Sequence, residues 1–366
     1  MDAGGHLVSP SFVDPHLHLD KVYTYDAAGE DAVERYQAGE MGDAMGAIES
    51  ASAVKADYDE SRIYENARRA VELGIRHGVL HHRAFADVDT AAGLEGVKAL
   101  LRLRDDYADV VDLRVVAFPQ DGLLRDPGAE SLVEEAMALG ADEVGGIPWI
   151  EFTEADAREH VDRMVDLAVE HDADVAMLTD DAGDPGLRTT EYLATAAIDA
   201  GWEGRVTACH ARAMALYPEP YRRKLYTLLD RAGVSVVTDP QTGPLHVPVD
   251  ELLEAGIPVA LGQDDIADAY YPFGRNSLLE VGFLAAHLLW KTTADDLQEI
   301  HAMLTEHGAT SLGLEAHGLA EGTPADLVLL DAASVPEAIG QQALVTHVIS
   351  GGELVAESRL ETTRYG

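Results

Sequence analysis

Two histidines near the start of the chain have the spacing of metal ligands. His16 and His18 follow the apolar residues Phe12-Val13 and are separated by one residue. In a β-strand, alternate side chains point to the same face, so the two imidazoles would converge on one side. Convergent imidazoles are ligands for Zn or Fe. The spacing alone is equally compatible with two unrelated histidines at the end of a surface strand.

Further polar residues follow predicted strands later in the chain. They are 81–87, Gln120, 149–151, 179–181, His210, 239–241 and 263–265. If these strands are parallel, their carboxyl ends meet at one rim, and the polar side chains would converge there. This convergence predicts a functional site. For any single Asp or Thr in these segments, capping of the following helix is an equally good explanation.

Short apolar strands alternate with amphipathic helices over most of the chain. The strands are predicted at 11–18, 78–85, 113–118, 143–147, 174–178, 205–210, 234–238 and 258–262, and the helices at 60–76, 92–107, 129–139, 154–171, 187–200, 221–232 and 249–255. Near-continuous apolar strands that alternate with helices indicate a parallel sheet. Eight strands over about 250 residues predict an α/β fold of the (β/α)8 TIM barrel type. A doubly wound open sheet is the alternative, but its Gly-rich first turn is absent.

The sequence pattern at the two chain ends differs from the strand–helix alternation of the barrel. After helices predicted at 276–291 and 294–306, the residues 322–331 read as a turn and a strand, and Gly351-Gly352 centres a hairpin. Together with the few residues before the first barrel strand, they predict a small, N-terminally truncated β-sandwich subdomain. We assign the barrel to 9–315 and the subdomain to 1–8 and 316–366. An open sheet edge invites self-association, so we expect a homo-oligomer. Residues 22–57 have weak periodicity and could cover the site as a lid.

The charge balance of the 366-residue chain is extreme. There are 66 acidic residues against 26 basic ones, for a net charge of -40, and the acidic residues are spread over the whole chain. Such a surface argues against nucleic acid and anionic membranes as partners, because phosphate neutralisation needs basic groups. It is typical of a protein adapted to high salt, where ions screen the self-repulsion. The single cysteine, Cys209, and the absence of a long apolar run or a signal peptide predict a cytoplasmic location.

Several segments resemble the metal-dependent amidohydrolase superfamily, in its cytosine deaminase and N-isopropylammelide hydrolase branch. The matching segments are 12–20, 117–122, 146–153, 205–210 and 264–274. The strand at 325–331 is similar to one in the family's small β-sandwich. The resemblance extends over nearly the whole chain and therefore implies the barrel predicted above.

The resemblance also implies roles for individual residues. His16, His18, His210 and Asp264 would bind one divalent metal ion, Zn or Fe. Asp264 would in addition accept a proton from the attacking water. His210 would hydrogen-bond the oxygen that attacks the substrate, and Asp181 would carry a proton to the leaving nitrogen.

A small heterocycle is the substrate that the resemblance implies. Gln120 would bind the amide edge of the ring, and Asp265 and Tyr270, with the neighbouring Tyr271, would line the pocket. The implied reaction is cytosine deaminase-like. It is the hydrolytic removal of an exocyclic amine from a pyrimidine or triazine-like ring, in which the metal activates water and a carboxylate moves the proton.

The chain also departs from the family pattern. The family has His-x-x-Glu after the fifth strand, and these positions are Leu178 and Asp181 here; leucine cannot bind a metal, and aspartate is one methylene shorter than glutamate. Two further family histidines correspond to Phe85 and Gln263.

These departures leave three readings open. The chain could be a working hydrolase of a cytosine-like or triazine-like ring, which the residues His16, His18, His210, Asp264 and Gln120 support. Misalignment could explain one of the three missing histidines, with His81 or His82 standing in for it, but not all three. It could be a hydrolase whose metal has only the four ligands named above. It could also be a catalytically impaired homologue that binds a small heterocycle or a metal without turnover.

Overall fold

A barrel of eight parallel strands forms the centre of the computed structural model, which describes residues 3–28, 55, 57–314 and 316–365. The barrel strands lie in chain order. They are β2 (Phe12–Leu17), β3 (Val79–Asp87), β4 (Asp112–Phe118), β5 (Glu143–Gly146), β6 (Asp174–Thr179), β7 (Val206–His210), β8 (Ser235–Thr238) and β9 (Val259–Leu261). The predicted (β/α)8 barrel is confirmed, and an open doubly wound sheet is excluded by this order.

Helices separate the barrel strands and pack around them. Those of the described residues are α1 (Tyr25–Ala28), α2 (Glu60–Arg76), α3 (Glu95–Tyr107), α4 (Ala129–Leu139), α5 (Glu154–His171), α6 (Thr189–Ala200), α7 (Glu219–Ala232), α8 (Val249–Glu254), α9 (Leu278–Leu288), α10 (Ala294–Leu304), α11 (Glu306–Ser311) and α12 (Val335–Gln341). Helix α2 shows why the sequence pattern was informative. Ile63, Ala67 and Ala70 recur at helical spacing and are buried, while the Asp59 side chain caps the first turn by accepting a hydrogen bond from the Arg62 amide.

The barrel closes at the rim formed by the carboxyl ends of the strands. The amide of His18 donates to the carbonyl of Asp264 at 2.8 Å, and the amide of Asp264 donates to the carbonyl of His16 at 2.8 Å. These two hydrogen bonds join the end of β2 to the residues that follow β9. Closure of the fold therefore brings the first and last predicted ligands together, although about 250 residues separate them in the chain.

Apolar side chains fill the barrel beneath this rim. They are Phe85, Val116, Phe118, Ile147, Ile150, Ala176, Leu178, Cys209, Val237 and Ala260. Phe85 and Leu178, two positions at which the family resemblance implied a histidine, belong to this cluster. The ring centroids of Phe85 and His16 lie 4.3 Å apart, so the His16 imidazole packs against an aromatic ring. The interior is thus a packed core, as in other barrels of this type.

The opposite end of the barrel carries His81 and His82, near the start of β3. His81 lies 3.6 Å from a carboxylate oxygen of Asp112 and 3.6 Å from one of Asp326. Nδ1 of His82 lies 3.9 Å from Asp14 Oδ2. The structure thus corrects the idea that His81 or His82 substitutes for a missing family histidine, because neither belongs to a group of metal donors within the described residues.

Both ends of the described chain contribute to a second, four-stranded antiparallel sheet. Its order is β1 (Leu7–Pro10), β10 (Leu327–Leu330), β11 (Val345–Ser350) and β12 (Glu353–Glu357). The predicted hairpin at Gly351-Gly352 joins the last two strands. The predicted subdomain is therefore present as a sheet. Its limits at residues 8 and 315, and the homo-oligomer expected from its edges, stay predictions.

Two further expectations concern the surroundings of the barrel. The lid predicted over 22–57 falls largely on residues 29–54 and 56, which lie outside the described residues. No helix in the described ranges is both long and apolar enough to span a membrane.

Candidate functional site

The carboxyl ends of four neighbouring strands assemble a buried group of metal donors. One donor atom each of His16, His210, Asp239 and Asp264 lies within 4.8 Å of the others, and all four residues are buried. His16 Nε2 is 3.2 Å and His210 Nε2 is 3.9 Å from Asp264 Oδ1. Two imidazoles and two carboxylates in this arrangement can hold a divalent metal such as Zn or Fe.

His18 approaches the same carboxylate from the other side. Its Nε2 lies 3.8 Å from Asp264 Oδ1, and it forms a second donor group with Asp264 and Asp265. The rings of His16 and His18 are 5.0 Å apart. The structure therefore brings together all four residues to which sequence analysis assigned the metal, with Asp264 at the centre.

The electrostatics of the group favour an ionised carboxylate. Burial alone would raise the pKa of Asp264, but the imidazoles of His210 and His16 hold the pKa well below its usual range. Burial lowers the pKa of His18 well below normal, and the charges of Lys21 and His16 lower it further. A neutral His18 has a free lone pair, which is the form that binds a metal.

Two of the donor residues, His210 and Asp264, have a backbone conformation that residues other than glycine rarely adopt. The φ angle is 65° at His210 and 64° at Asp264, and both are in the left-handed region. For residues other than glycine this conformation costs free energy, and it concentrates at sites where side-chain placement matters more than local stability. The two residues with this strained backbone, His210 and Asp264, are therefore also two of the donors that face each other at the rim.

Nδ1 of His210 has two competing partners. Asp239 Oδ2 lies 3.2 Å from it, and Nη2 of Arg212 also lies 3.2 Å from it. If Nδ1 carries the proton, it donates to Asp239 and leaves Nε2 as a lone pair for a metal. If Nδ1 accepts from Arg212, then Nε2 carries the proton and can donate to an oxygen of the substrate. The two partners thus correspond to the two roles that the family resemblance implies for His210.

Arg212 also connects the group to Asp181. Its Nη1 lies 3.3 Å from Asp181 Oδ1, and its Nη2 lies 3.9 Å from Asp264 Oδ2. The guanidinium is buried, and Gly243 lies against it, where a Cβ would be only 2.8 Å from Nη1. Asp181 therefore reaches the predicted ligands through an arginine and is not itself a member of a donor group.

Gln120 is held by a buried lysine beside the donors. Lys21 Nζ donates to Gln120 Oε1 at 3.1 Å and to the two carboxylate oxygens of Asp87 at 2.9 and 3.1 Å. The pKa of Lys21 is raised even though burial opposes its charge, because the carboxylates of Asp87 and Asp20 stabilise the cation. Gln120 is thus a fixed polar group within the site.

Asp265 and Tyr270 lie where sequence analysis expected the substrate pocket. Asp265 is buried, and burial together with the carboxylates of Asp264 and Asp268 raises its pKa well above the usual range. The ring of Tyr270 lies 5.5 Å from the Lys21 ammonium. Asp268 Oδ1 accepts hydrogen bonds from the amides of Tyr270 and Tyr271, at 2.9 and 3.0 Å, and so shapes this loop.

Other polar residues at the strand ends are structural. The Asp180 carboxylate accepts hydrogen bonds from Thr189, Thr190 and Tyr217 at the start of α6. The Glu151 carboxylate accepts the amides of Leu123 and Leu124. Helix capping thus explains Asp180, whereas Glu151 holds the loop at residues 123–124.

Sequence reasoning missed Asp14, Arg212 and the role of Asp239. Asp14 has the same strand alternation as His16 and His18, which could have identified it. Its Oδ1 accepts the amide of Gln263 at 3.0 Å, and burial raises its pKa to about 7. Asp239 was visible only as a polar residue after a strand, while Arg212 lies two residues past a strand end and carried no signal.

Comparison with known proteins places the chain in a family. The sequence model that describes the amidohydrolase family matches residues 1–356 of this chain. The N-isopropylammelide isopropyl amidohydrolase of Pseudomonas sp. (strain ADP) is 33% identical over 361 residues, which cover 98% of this chain and 88% of that protein.

Solved structures agree with this result. The crystal structure of 5-methylcytosine deaminase from Klebsiella pneumoniae, liganded with 5-fluorocytosine, has a TM-score of 0.92 and 34% identity and covers 100% of this chain and 90% of that one. N-isopropylammelide isopropylaminohydrolase from Burkholderia multivorans has a TM-score of 0.82 and 27% identity, with 97% of this chain and 88% of that one covered. The chain belongs to the amidohydrolase family.

Proposed function

We propose that the protein removes an exocyclic amine from a pyrimidine or triazine-like ring by hydrolysis. The observation that carries the proposal is the convergence of His16, His18, His210 and Asp264 at the closed end of the barrel. Relatives at 33 and 34% identity are named for an N-isopropylammelide and for 5-methylcytosine. Both names describe small nitrogen heterocycles that carry an exocyclic amino or alkylamino group.

The residues present fit a metal ion. Both ring nitrogens of His16 are buried and make no hydrogen bond within the described part of the chain, which is costly for a polar group unless a ligand satisfies it. His16, His18, His210 and Asp264 would hold the ion. A divalent metal at this place supplies a Lewis acid that makes water nucleophilic near neutral pH.

The other polar groups of the site would handle protons and orient the ring. Asp264 is ionised and can accept a proton from the attacking water. Asp181, paired with Arg212, can pass a proton to the leaving nitrogen. Gln120 can bind the amide edge of the ring, and Asp265 and Tyr270 can enclose it, because all three surround Lys21 next to the donors.

A second candidate function is binding without turnover, and Leu178 is the observation that favours it. Its side chain packs among Phe85, Cys209 and Val237 and offers no donor atom. Asp181 is engaged by Arg212 at 3.3 Å, which opposes its transfer of a proton to a substrate. A protein with these features could retain a heterocycle or a metal and lack the rate of its relatives.

A substrate panel with metal analysis on the same sample tests the proposal. Purified protein in high salt is incubated with cytosine, 5-methylcytosine and N-isopropylammelide, and ammonia or amine release is measured. We expect release with a stoichiometric Zn or Fe content. Metal-containing protein that releases nothing from any of the rings would favour binding without turnover.

Two variants sharpen this experiment. Asp264→Asn should abolish release because it removes the shared carboxylate, whereas Lys98→Met, an exposed residue on α3, should leave release unchanged. The double variant Leu178→His with Asp181→Glu restores the family pattern. If the double variant gains at least about tenfold in rate, which corresponds to about 1.4 kcal/mol, the natural residues are what limits the activity.

A further inference from the structure

The carboxylate of Asp239 is the least explained polar group of the site. Its side chain is fully buried, and within the described residues neither oxygen has a hydrogen bond of good geometry. Among the described residues its ion-pair partner is His210, whose Nδ1 lies 3.2 Å from Oδ2. A buried carboxylate without hydrogen bonds is costly, so its presence calls for a cation or a ligand.

The backbone around Asp239 is shaped to admit this carboxylate. A Cβ on Gly262 would lie 2.4 Å from Asp239 Oδ1 and 2.9 Å from the Cβ of His16. Only a residue without a side chain fits at position 262, because both neighbours belong to the rim. Oδ1 therefore lies against Gly262, while Oδ2 lies 3.2 Å from His210 Nδ1.

The strand order relates Asp239 to the position where the family histidine is missing. Strands β6, β7 and β8 are neighbours, and Leu178, His210 and Asp239 lie at or just beyond their carboxyl ends. Leu178 and Asp239 thus flank His210 on opposite sides. A donor lost on one flank could be replaced from the other without moving His210.

We propose that Asp239 is a metal ligand of this protein and replaces the missing donor at Leu178. Asp239 would then join His16, His18, His210 and Asp264 around the ion, and its donor atom lies within 4.8 Å of those of His16, His210 and Asp264. This inference rests on the metal site of the proposed function, but it concerns binding and not turnover.

The local charges are balanced for a divalent ion. The carboxylates of Asp181, Asp239 and Asp264 carry three negative charges, and the Arg212 guanidinium beside Asp181 and Asp264 carries one positive charge. Three minus one leaves two negative charges, which a divalent cation neutralises. Without the cation, Asp239 and Asp264 repel each other in a buried setting, where the repulsion is strong.

Zn²⁺ affinity, measured without substrate by competition with a chromophoric chelator, tests the proposal. We expect Asp239→Asn to weaken Zn²⁺ binding by more than about 100-fold, because loss of a ligand should exceed the roughly 10–100-fold that loss of a group supporting a ligand costs. The matched control is Asp181→Asn, which removes the same charge next to Arg212 but no donor, and it should weaken binding less than about tenfold. Equal losses in both variants, or no loss in Asp239→Asn, would overturn the proposal, as would wild-type protein that binds no Zn²⁺.

The absorption spectrum of bound Co²⁺ provides a second readout. Circular dichroism first establishes that each variant is folded. If Asp239→Asn does not fold, Asp239→Glu keeps the charge and moves the oxygens by one methylene, so a ligand role predicts a changed Co²⁺ spectrum. An unchanged spectrum would reject the ligand role. Zn²⁺ binding that depends on Asp239 in a protein without turnover would reject only the proposed hydrolysis.

Discussion

The ammonium group of Lys21 lies 3.1 Å from Oε1 of Gln120 and also binds both carboxylate oxygens of Asp87. Because an ammonium group has only donors, the atom of the Gln120 amide that faces it must be the oxygen. The Gln120 NH₂ group is then the one left for a ligand. We therefore expect the site to bind rings that offer an acceptor at this edge, such as a carbonyl oxygen or an unprotonated ring nitrogen.

A double-mutant cycle tests this role of Lys21. We expect Lys21→Met and Gln120→Ala each to weaken the binding of cytosine by about tenfold, which corresponds to about 1.4 kcal/mol. If Lys21 acts by positioning Gln120, the double variant should bind no more weakly than Gln120→Ala alone. Calorimetric titration measures all four affinities. Fully additive losses would contradict the positioning role.

The fold of Lys21→Met should persist because a second lysine supports the same carboxylate. Lys55 Nζ lies 3.3 Å from Asp87 Oδ2. Lys98→Met is the control, since Lys98 is exposed and pairs, among the described residues, only with Glu95 at 3.0 Å. This variant should bind cytosine as the wild type does.

Gly262 and Gly340 form a matched pair for testing how tightly the rim is packed. A Cβ at Gly262 would clash with Asp239 and His16, whereas a Cβ at Gly340, on α12, meets nothing within 4 Å. We expect Gly262→Ala to lower the free energy of unfolding by about 1–3 kcal/mol. Gly340→Ala should raise it by about 0.5–1 kcal/mol, because alanine favours the helix. Denaturant unfolding followed by circular dichroism measures both, and a neutral Gly262→Ala would contradict the close packing.

The barrel could be predicted from sequence because its signals are local. Predicted and observed bounds coincide for α2, α4 and α5, where an apolar stripe and a cap act together. Strand β3 was predicted to end at residue 85 but continues to Asp87, because its last residues pair with β4 and their small or charged side chains do not look like a strand.

The donor group was only partly predictable. His16 and His18 share one strand, so their convergence follows from alternation. Asp239 and Arg212 become neighbours of His210 only through the twist and order of the barrel, which no local pattern encodes. The same holds for Lys21, whose partner Gln120 lies about 100 residues away.

The buried His301 should make stability depend on pH. Burial lowers its pKa to about 4, and its Nε2 lies 2.8 Å from the Ser9 hydroxyl. The unfolded chain has a histidine pKa of about 6.5, so it binds a proton between about pH 6.5 and 4 that the folded chain does not bind. The contribution of neutral His301 is therefore complete above pH 6.5 and is lost as the pH falls towards 4.

His301→Gln isolates this effect from the changing net charge. Unfolding free energies are measured at about pH 7 and about pH 5 for both proteins. We expect the drop on acidification to be smaller in the variant by about 1–2 kcal/mol, since one proton contributes about 1.4 kcal/mol per pH unit. The same drop in both proteins would mean that His301 is not the group responsible.

High salt should stabilise the fold, because of the net charge of -40. Acidic residues outnumber basic ones by 66 to 26, and three of the five lysines, Lys21, Lys55 and Lys291, are buried in ion pairs and cannot offset the acidic surface. Ions shorten the range of repulsion from about 10 Å at 0.1 M to about 3 Å at 1 M. We expect the thermal midpoint to rise between these concentrations of KCl and helical circular dichroism to decrease on dialysis to low salt.

A charge variant separates screening from other effects of salt. Glu134 and Glu135 are exposed on α4, and changing both to Lys reduces the net charge from -40 to -36, since each change adds two positive charges. If repulsion between surface carboxylates drives the salt dependence, the midpoint of the variant should rise less steeply with KCl than that of the wild type. Changing both residues to Gln should give an intermediate slope. Identical slopes in all three proteins would instead point to exclusion of salt from apolar surface, which acts independently of charge.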